Sequence, residues 1–168
     1  MVIKAIKKEK VSEKDACSIL MKEPQQLQIF NIGDVKPSKR RENQYYCFID
    51  YKLGDDKTFG ISYSFYLNDN GEYECSSSSK LYNLMKGFLS LNPFSTVGLT
   101  FNAEDIRETL LNKVFLASVK VESVGGKNYP YITCEKVIEW IKQCLVWIIP
   151  HQKTRIQSII LIFVVGTI

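Results

Sequence analysis

The residues with the clearest chemical potential are aromatic and basic side chains that crowd together between positions 40 and 66. Flat aromatic rings stack on nucleobases, while Lys and Arg neutralise phosphates, so the combination is typical of a surface that binds single-stranded nucleic acid. Aromatic side chains also fill hydrophobic cores, and their types alone leave both uses open. A later loop adds two further candidates, Lys127 and Tyr129. The candidate nucleic-acid-binding residues are therefore Arg40, Arg41, Tyr46, Phe48, Lys52, Tyr66, Lys127 and Tyr129.

A second constellation combines two carboxylates with a lysine. Asp34 precedes Asp50, and Lys52 follows Asp50 two residues later. Nucleases of the restriction type hold Mg²⁺ between two carboxylates and use a Lys to orient the attacking water. Residues at such loose spacing also occur by chance at solvated strand ends, and the helix expected beside such a site is missing. A Mg²⁺-dependent nuclease is therefore the third of three functional hypotheses.

Other residue groups do not match the spacing of known sites. Gly125-Gly126-Lys127 lacks the GxxxxGK[ST] pattern of a phosphate loop and is typical of a hairpin turn. The acidic turns at 55–56 and 69–71 lack the spacing of a calcium-binding loop. His151 is the only histidine, so a zinc site is not expected. We predict no catalytic residues, no metal and no cofactor.

The composition excludes several protein classes. The chain has 168 residues, of which 45% are hydrophobic and 24% charged, and its net charge is +4. This is enough apolar sequence for one folded domain with an appendage, and too much for a disordered chain. The charge is too small for a histone-like polycation.

Cysteine usage and the N-terminal sequence predict a cytoplasmic protein. The five cysteines are an odd number and include no CxxC pair, which favours reduced thiols. Residues 1–10 interrupt their apolar residues with lysines and lack the continuous apolar run of a signal peptide.

Periodicity and turn residues predict the elements that position the candidate residues. Alternation with period two predicts strands at 26–36, 44–53, 58–67, 113–123 and 129–133, with brief pairing at 72–75. On the second strand, Tyr46, Phe48 and Lys52 share one face. Helical spacing predicts helices at 12–21, 79–90 and 103–111, of which Ser12 caps the first and Asn102 the third.

This element order predicts the fold class and the domains. Three strands, a helix and a closing hairpin are the order of an OB barrel, whose strand 2–3 face and flanking loops bind oligonucleotides. We therefore predict a mainly β fold with helices (α+β), built as a five-stranded OB-like barrel with a helix between strands 3 and 4. The predicted domains are a polar segment (1–24), the barrel (25–134) and a C-terminal helical and apolar extension (135–168).

The C-terminal extension differs in composition from the rest of the chain. Apolar residues recur at helical spacing over 134–149, and residues 158–168 are almost wholly apolar. Eleven residues are too few for a membrane-spanning helix, which needs about 20. The tail is expected to form a buried strand or helix, a subunit contact between copies of the chain, or a poorly ordered terminus, and we do not expect a membrane partner.

Three segments within residues 79–132 resemble a known protein family. SKLYNLM at 79–85, KVFLASV at 113–119 and GKNYPYI at 126–132 are similar to the S-K-L-Y-x-L helix, G-K-x-F-x-A-x-V strand and G-K-x-Y-x-x-I hairpin of small phage-type replication-module proteins. Asn112 stands where that family has a Gly. The resemblance implies an OB-like accessory protein that binds single-stranded DNA.

The sequence thus leads to a first hypothesis and two alternatives. The first is a non-enzymatic protein that binds single-stranded DNA or RNA, with DNA as the leading expectation, in a phage or mobile-element replication or recombination module. The first alternative is an interaction or oligomerisation module that docks through its apolar tail. The second alternative is the Mg²⁺-dependent nuclease.

Overall fold

The structure, a computed structural model, describes residues 8–91 and 97–138, so the predicted C-terminal tail lies outside the described residues. Within these ranges the chain is mainly β with three α-helices, which confirms the predicted class. The strands are β1 (Glu9–Lys10), β2 (Gln25–Ile32), β3 (Lys36–Pro37), β4 (Gln44–Leu53), β5 (Lys57–Leu67), β6 (Tyr73–Cys75), β7 (Leu99–Phe101), β8 (Val114–Val124) and β9 (Lys127–Val137). The helices are α1 (Glu13–Lys22), α2 (Lys80–Phe88) and α3 (Ala103–Leu110).

All of the described strands belong to one curled sheet. The main path runs β7-β6-β5-β4-β2-β8-β9, with every neighbouring pair antiparallel. Two short strands join from the side, since β1 pairs in parallel with β5 and β3 pairs antiparallel with β4. No helix in the described ranges has the length and apolar character needed to cross a membrane.

The β4–β5 ladder holds the core in place. It pairs without interruption from Gln44 opposite Tyr66 to Leu53 opposite Lys57. Because side chains alternate across a strand, every second residue of both strands faces inward. The inward side chains are buried and apolar: Cys47, Ile49, Tyr51 and Leu53 from β4, and Phe59, Ile61, Tyr63 and Phe65 from β5.

A pair of tyrosine hydroxyl groups lies inside this core. The hydroxyl oxygens of Tyr51 and Tyr63 are 2.7 Å apart and form a buried hydrogen bond. Burial raises the pKa of both hydroxyls above the usual value, so both stay neutral donors and acceptors. The Tyr51 ring also stacks on Phe59, with ring centroids 5.0 Å apart. Each polar atom therefore has its partner within an otherwise apolar interior.

The helix starts follow capping residues that the sequence predicts. The Ser12 hydroxyl accepts a hydrogen bond from the Asp15 amide at 3.1 Å, which confirms the predicted cap of α1. The cap of α3 is confirmed as well, since Asn102 and Asp105 form a reciprocal capping box. Before β8, Asn112 has a φ of 61°, a left-handed conformation that Asn tolerates better than most residues.

Helix α2 packs tightly on β9 through a glycine. A Cβ atom at Gly87 would clash with the Cys134 carbonyl oxygen and lie 2.7 Å from the Cys134 Cβ atom. Beside this contact, the Phe88 ring meets the Phe115 ring edge-on at 5.1 Å. Gly87 thus allows the helix backbone to approach the strand backbone directly.

Several predicted boundaries are wrong, each for a local reason. The predicted strand 26–36 is two strands, because the chain leaves the β2 ladder after Ile32 and returns as β3. Strand β9 continues to Val137, so residues 134–137, predicted as the start of a helix, are strand; their pairing with β8 outweighs the local helical pattern. Strands β1 and β7 were not predicted, because such short segments become strands only through their partners.

We predict that the two buried hydroxyl groups stabilise the core only as a pair. Tyr51→Phe or Tyr63→Phe alone leaves one buried hydroxyl without its partner and should lower the free energy of unfolding by about 1–3 kcal/mol. The double variant leaves no such group and should cost less than the sum of the single variants. Urea denaturation of the four proteins measures this difference, and strictly additive losses would contradict the prediction.

We also predict that Gly87→Ala destabilises the protein. In an exposed helix, replacing Gly by Ala raises stability by up to about 1 kcal/mol. Here the new methyl group would push α2 away from Cys134, and the unfolding temperature should fall. Gly33→Ala is the matched control, because its Cβ would meet nothing closer than 3.6 Å. A rise in the unfolding temperature of Gly87→Ala would show that this packing is wrong.

Candidate functional site

The outward side of the β4–β5 ladder carries a row of aromatic rings. Tyr46 and Phe48 of β4 lie opposite serines of β5, while Tyr66 of β5 lies opposite Gln44. The small or polar partners on this ladder leave the rings of Phe48 and Tyr66 partly uncovered. Together with Phe30 of β2, we call Tyr46, Phe48 and Tyr66 the aromatic face.

The rings of the aromatic face are accessible to a flat ligand. Phe48 is 50% exposed, Tyr66 42% and Phe30 41%. Tyr46 is partly buried and meets Phe48 edge-on, with ring centroids 5.9 Å apart. Three large apolar side chains on one side of adjacent strands form a patch, which scattered exposed residues do not.

A β-bulge in β2 lies at Phe30. The register of β2 against β4 shifts between Ile29 and Asn31, so Phe30 is an extra residue. The bulge inverts the alternation expected from the sequence: Ile32 becomes buried and Asn31 faces outward. Above the ring, the Lys8 ammonium lies 5.8 Å from the centroid of Phe30, within the range of a cation–π contact.

Basic side chains surround the aromatic face. Lys36 of β3 lies opposite Tyr46, and Lys52 stands at the far end of β4, opposite Thr58. Arg41 lies in the loop before β4, with its Nη1 atom 3.5 Å from the Tyr66 hydroxyl oxygen. Arg40 is exposed in the same loop. The predicted residues Arg41, Tyr46, Phe48, Lys52 and Tyr66 are thus brought together along the β4–β5 ladder and its preceding loop.

The two carboxylates of the nuclease hypothesis have protein partners. The Asp50 carboxylate accepts a hydrogen bond from the Asn31 amide at 2.7 Å. Asp34 forms an ion pair with Arg107 at 3.1 Å. Throughout residues 8–91 and 97–138, no group of three or more His, Cys, Asp or Glu side chains is arranged to hold a metal ion. The geometry adds no support to this hypothesis beyond the sequence pattern.

Lys127 and Tyr129 lie away from the loop that holds Arg40 and Arg41. They belong to the β8–β9 hairpin, which extends beyond the end of β2. The first residue of β2, Gln25, pairs with Ala117, and β8 continues for seven more residues after Ala117. The loop with Arg40 and Arg41 connects β3 to β4, beyond the opposite end of β2. Tyr129 instead lines a cleft of about 570 Å³ beside α1, near the Glu13–Lys80 ion pair.

A second cleft begins at the end of the aromatic face. It has a volume of about 400 Å³, and its wall includes Tyr66, Glu74 of β6 and Thr100 of β7. These three residues lie side by side across three neighbouring strands, because Glu74 pairs with Tyr66 on one side and with Thr100 on the other. We call this cavity the β6–β7 cleft.

Sequence reasoning missed four contributors to this surface. Phe30 lies on the first predicted strand, whereas the predicted binding face is limited to the next two strands and two loops. Lys8, Lys36 and Glu74 reach the surface through short strands or a terminal segment, whose positions depend on partners far along the chain.

Comparison of the chain with protein-family models, with curated proteins and with solved structures finds no match. The geometry of the aromatic face, its charges and the β6–β7 cleft is therefore the basis for assigning a function.

We predict that the aromatic face contributes little to folding. Phe48→Ser removes an exposed ring and one edge contact, so the free energy of unfolding should fall by about 1 kcal/mol or less. The neighbouring Ile49→Ala removes a fully buried side chain and should cost about 2–5 kcal/mol. Urea denaturation compares the two variants, and equal losses would mean that Phe48 is part of the core.

Proposed function

We propose that this protein binds single-stranded nucleic acid, with DNA as the leading ligand, through the aromatic face. The observation that carries the proposal is the alignment of Phe48, Tyr66 and Phe30 as exposed rings on one side of adjacent strands. The protein acts in this proposal as a binding protein and not as an enzyme.

Exposed rings on a rigid sheet suit nucleobases. Each base that stacks on an aromatic side chain contributes about 1–3 kcal/mol, and every base offers a flat face, so stacking tolerates any sequence. The sheet fixes Phe48 and Tyr66 before the ligand arrives, because both belong to the continuous β4–β5 ladder. Little conformational entropy is then lost on binding.

The charges around the face support a polyanionic ligand. Lys36, Arg41 and Lys52 are placed along the ladder to neutralise phosphates. Two carboxylates, Asp50 and Glu74, lie on the same side. Asp50 lies between the rings and Lys52, and its carboxylate accepts a hydrogen bond from Asn31. Because this carboxylate would repel phosphates, we propose that the phosphates contact the cations at the two ends of the face.

The length of the face suits a short stretch of nucleotides. From Gln44 to Lys52, β4 advances eight residues, or about 26 Å. Domains that bind single strands cover about 4–16 nucleotides each, and the row of four rings corresponds to the lower end of this range.

We further propose that the sheet is an OB-like, partly open barrel. The five longer strands pair in the order β5-β4-β2-β8-β9, and α2 lies between the third and fourth of them along the chain. In this arrangement β4 and β5 are strands 2 and 3, whose outer face binds oligonucleotides in OB folds. Helix α2 contacts both β5 and β9, the first and the last of these five strands in the sheet order.

The biological setting that we propose is a phage or mobile-element replication or recombination module. It rests on the resemblance of segments 79–85, 113–119 and 126–132 to small proteins of such modules. A contact between copies through the apolar tail stays a prediction, because residues 158–168 lie outside the described part of the chain.

Titration of a fluorescent oligothymidine of about twelve nucleotides tests the proposal. We expect binding at low salt, with log K falling against log salt at a slope of about −2, because three cations at about 0.7 each displace counterions. A parallel oligouridine ranks RNA against DNA. Absence of binding at low salt, or binding without a salt slope, would overturn the proposal.

Ring-removal variants locate the binding face in the same assay. Phe48→Ala and Tyr66→Ala should each weaken binding by about 5- to 150-fold, through loss of one stacked base. Tyr129→Ala is the matched control, since its ring is 47% exposed but lies on the β8–β9 hairpin. Equal losses in all three variants would argue against the aromatic face as the site.

A further inference from the structure

We propose that the β6–β7 cleft is a subsite for guanine at one end of the bound single strand. This inference rests on the proposed function, because the cleft continues the aromatic face at Tyr66. It adds a base preference to a surface that would otherwise bind any sequence.

The cleft combines a ring for stacking with polar groups for hydrogen bonding. Tyr66, Glu74 and Thr100 stand side by side on β5, β6 and β7, and all three line the same cavity. With a volume of about 400 Å³, the cavity falls within the range of about 300–1,000 Å³ found for small-ligand sites. A base that stacks on Tyr66 would therefore present its edge to Glu74.

The backbone of β6 and β7 keeps the cleft open. Gly98 lines it, and a Cβ atom at this position would clash with the carbonyl oxygen of Cys75. The two chain segments thus meet at backbone distance, and no side chain from residue 98 fills the cavity. Space for a base remains beside Tyr66.

The carboxylate of Glu74 distinguishes between the four bases. A carboxylate offers two oxygen acceptors and no donor. The Watson–Crick edge of guanine presents two adjacent N–H donors, which match the two oxygens. Thymine presents a single N–H between two carbonyl oxygens that would be repelled by the carboxylate. Adenine and cytosine each offer only one donor group on this edge, an amino group.

The location of Arg41 fits a phosphate next to this base. Its guanidinium lies beside the Tyr66 hydroxyl, at the rim of the ring on which the base would stack. The positive charge compensates for the negative charge of Glu74, so a nucleotide can approach the carboxylate without net repulsion.

Oligonucleotide competition tests the subsite. The probes are an all-thymidine oligomer, the same oligomer with one terminal deoxyguanosine, and one with deoxyinosine, which lacks the amino group of guanine. We expect deoxyguanosine to tighten binding to the full-length protein by about tenfold or more, with deoxyinosine in between. Glu74→Gln should reduce this preference, because an amide keeps only one oxygen acceptor for the two N–H donors of guanine.

Glu72→Gln is the matched control, because it removes the same charge two residues away and should keep the preference. If the all-thymidine oligomer does not bind at low salt, the proposed function itself fails. If it binds but deoxyguanosine and deoxyinosine give no tightening, only the subsite is overturned. Equal tightening of all oligomers by Glu74→Gln would likewise overturn it, by showing that Glu74 merely repels phosphates.

Discussion

Strands β4 and β5 pair in one uninterrupted antiparallel register, and this register decides which side of the sheet each aromatic ring faces. A slip of β4 by one residue relative to β5 would turn Tyr51 to solvent and Tyr46 and Phe48 into the interior. The buried hydroxyl pair opposes such a slip, because its two oxygens meet only in this register. Core and candidate site are therefore two sides of the same pairing.

The edge of β5 that faces away from β4 is covered by other elements of the chain. An unpaired strand edge attracts other chains, so folded proteins cover it. Along β5, the edge opposite β4 is taken by β1 at one end and β6 at the other, and α2 packs nearby. The β6–β7 extension that results also forms the cleft next to Tyr66. The short strands that cover the β5 edge thereby also form a concave surface.

Much of the fold could be predicted from local signals, and the failures share a physical cause. β4 was predicted at its observed bounds because alternation and a following turn coincide there. The caps Ser12 and Asn102 were found because capping depends only on neighbouring residues. The bulge at Phe30 and the three-residue β7 depend on distant partners, which no local pattern reveals.

The same distinction between local and distant determinants applies to the candidate site. Tyr46, Phe48, Lys52 and Tyr66 lie on one side of the β4–β5 ladder, as alternation predicts. The place of Lys127 and Tyr129 depends instead on how far the β8–β9 hairpin extends past β2.

The bulge in β2 makes position 30 tolerant of two kinds of mutation. Deleting residue 30 would leave Ile29 opposite Tyr51, Asn31 opposite Asp50 and Ile32 opposite Ile49, so these residues would keep their faces without the bulge. Replacing Phe30 by another residue would leave this arrangement intact, because the side chain itself lies outside the core. The β2–β4 pairing thus requires neither the presence nor the identity of this one residue.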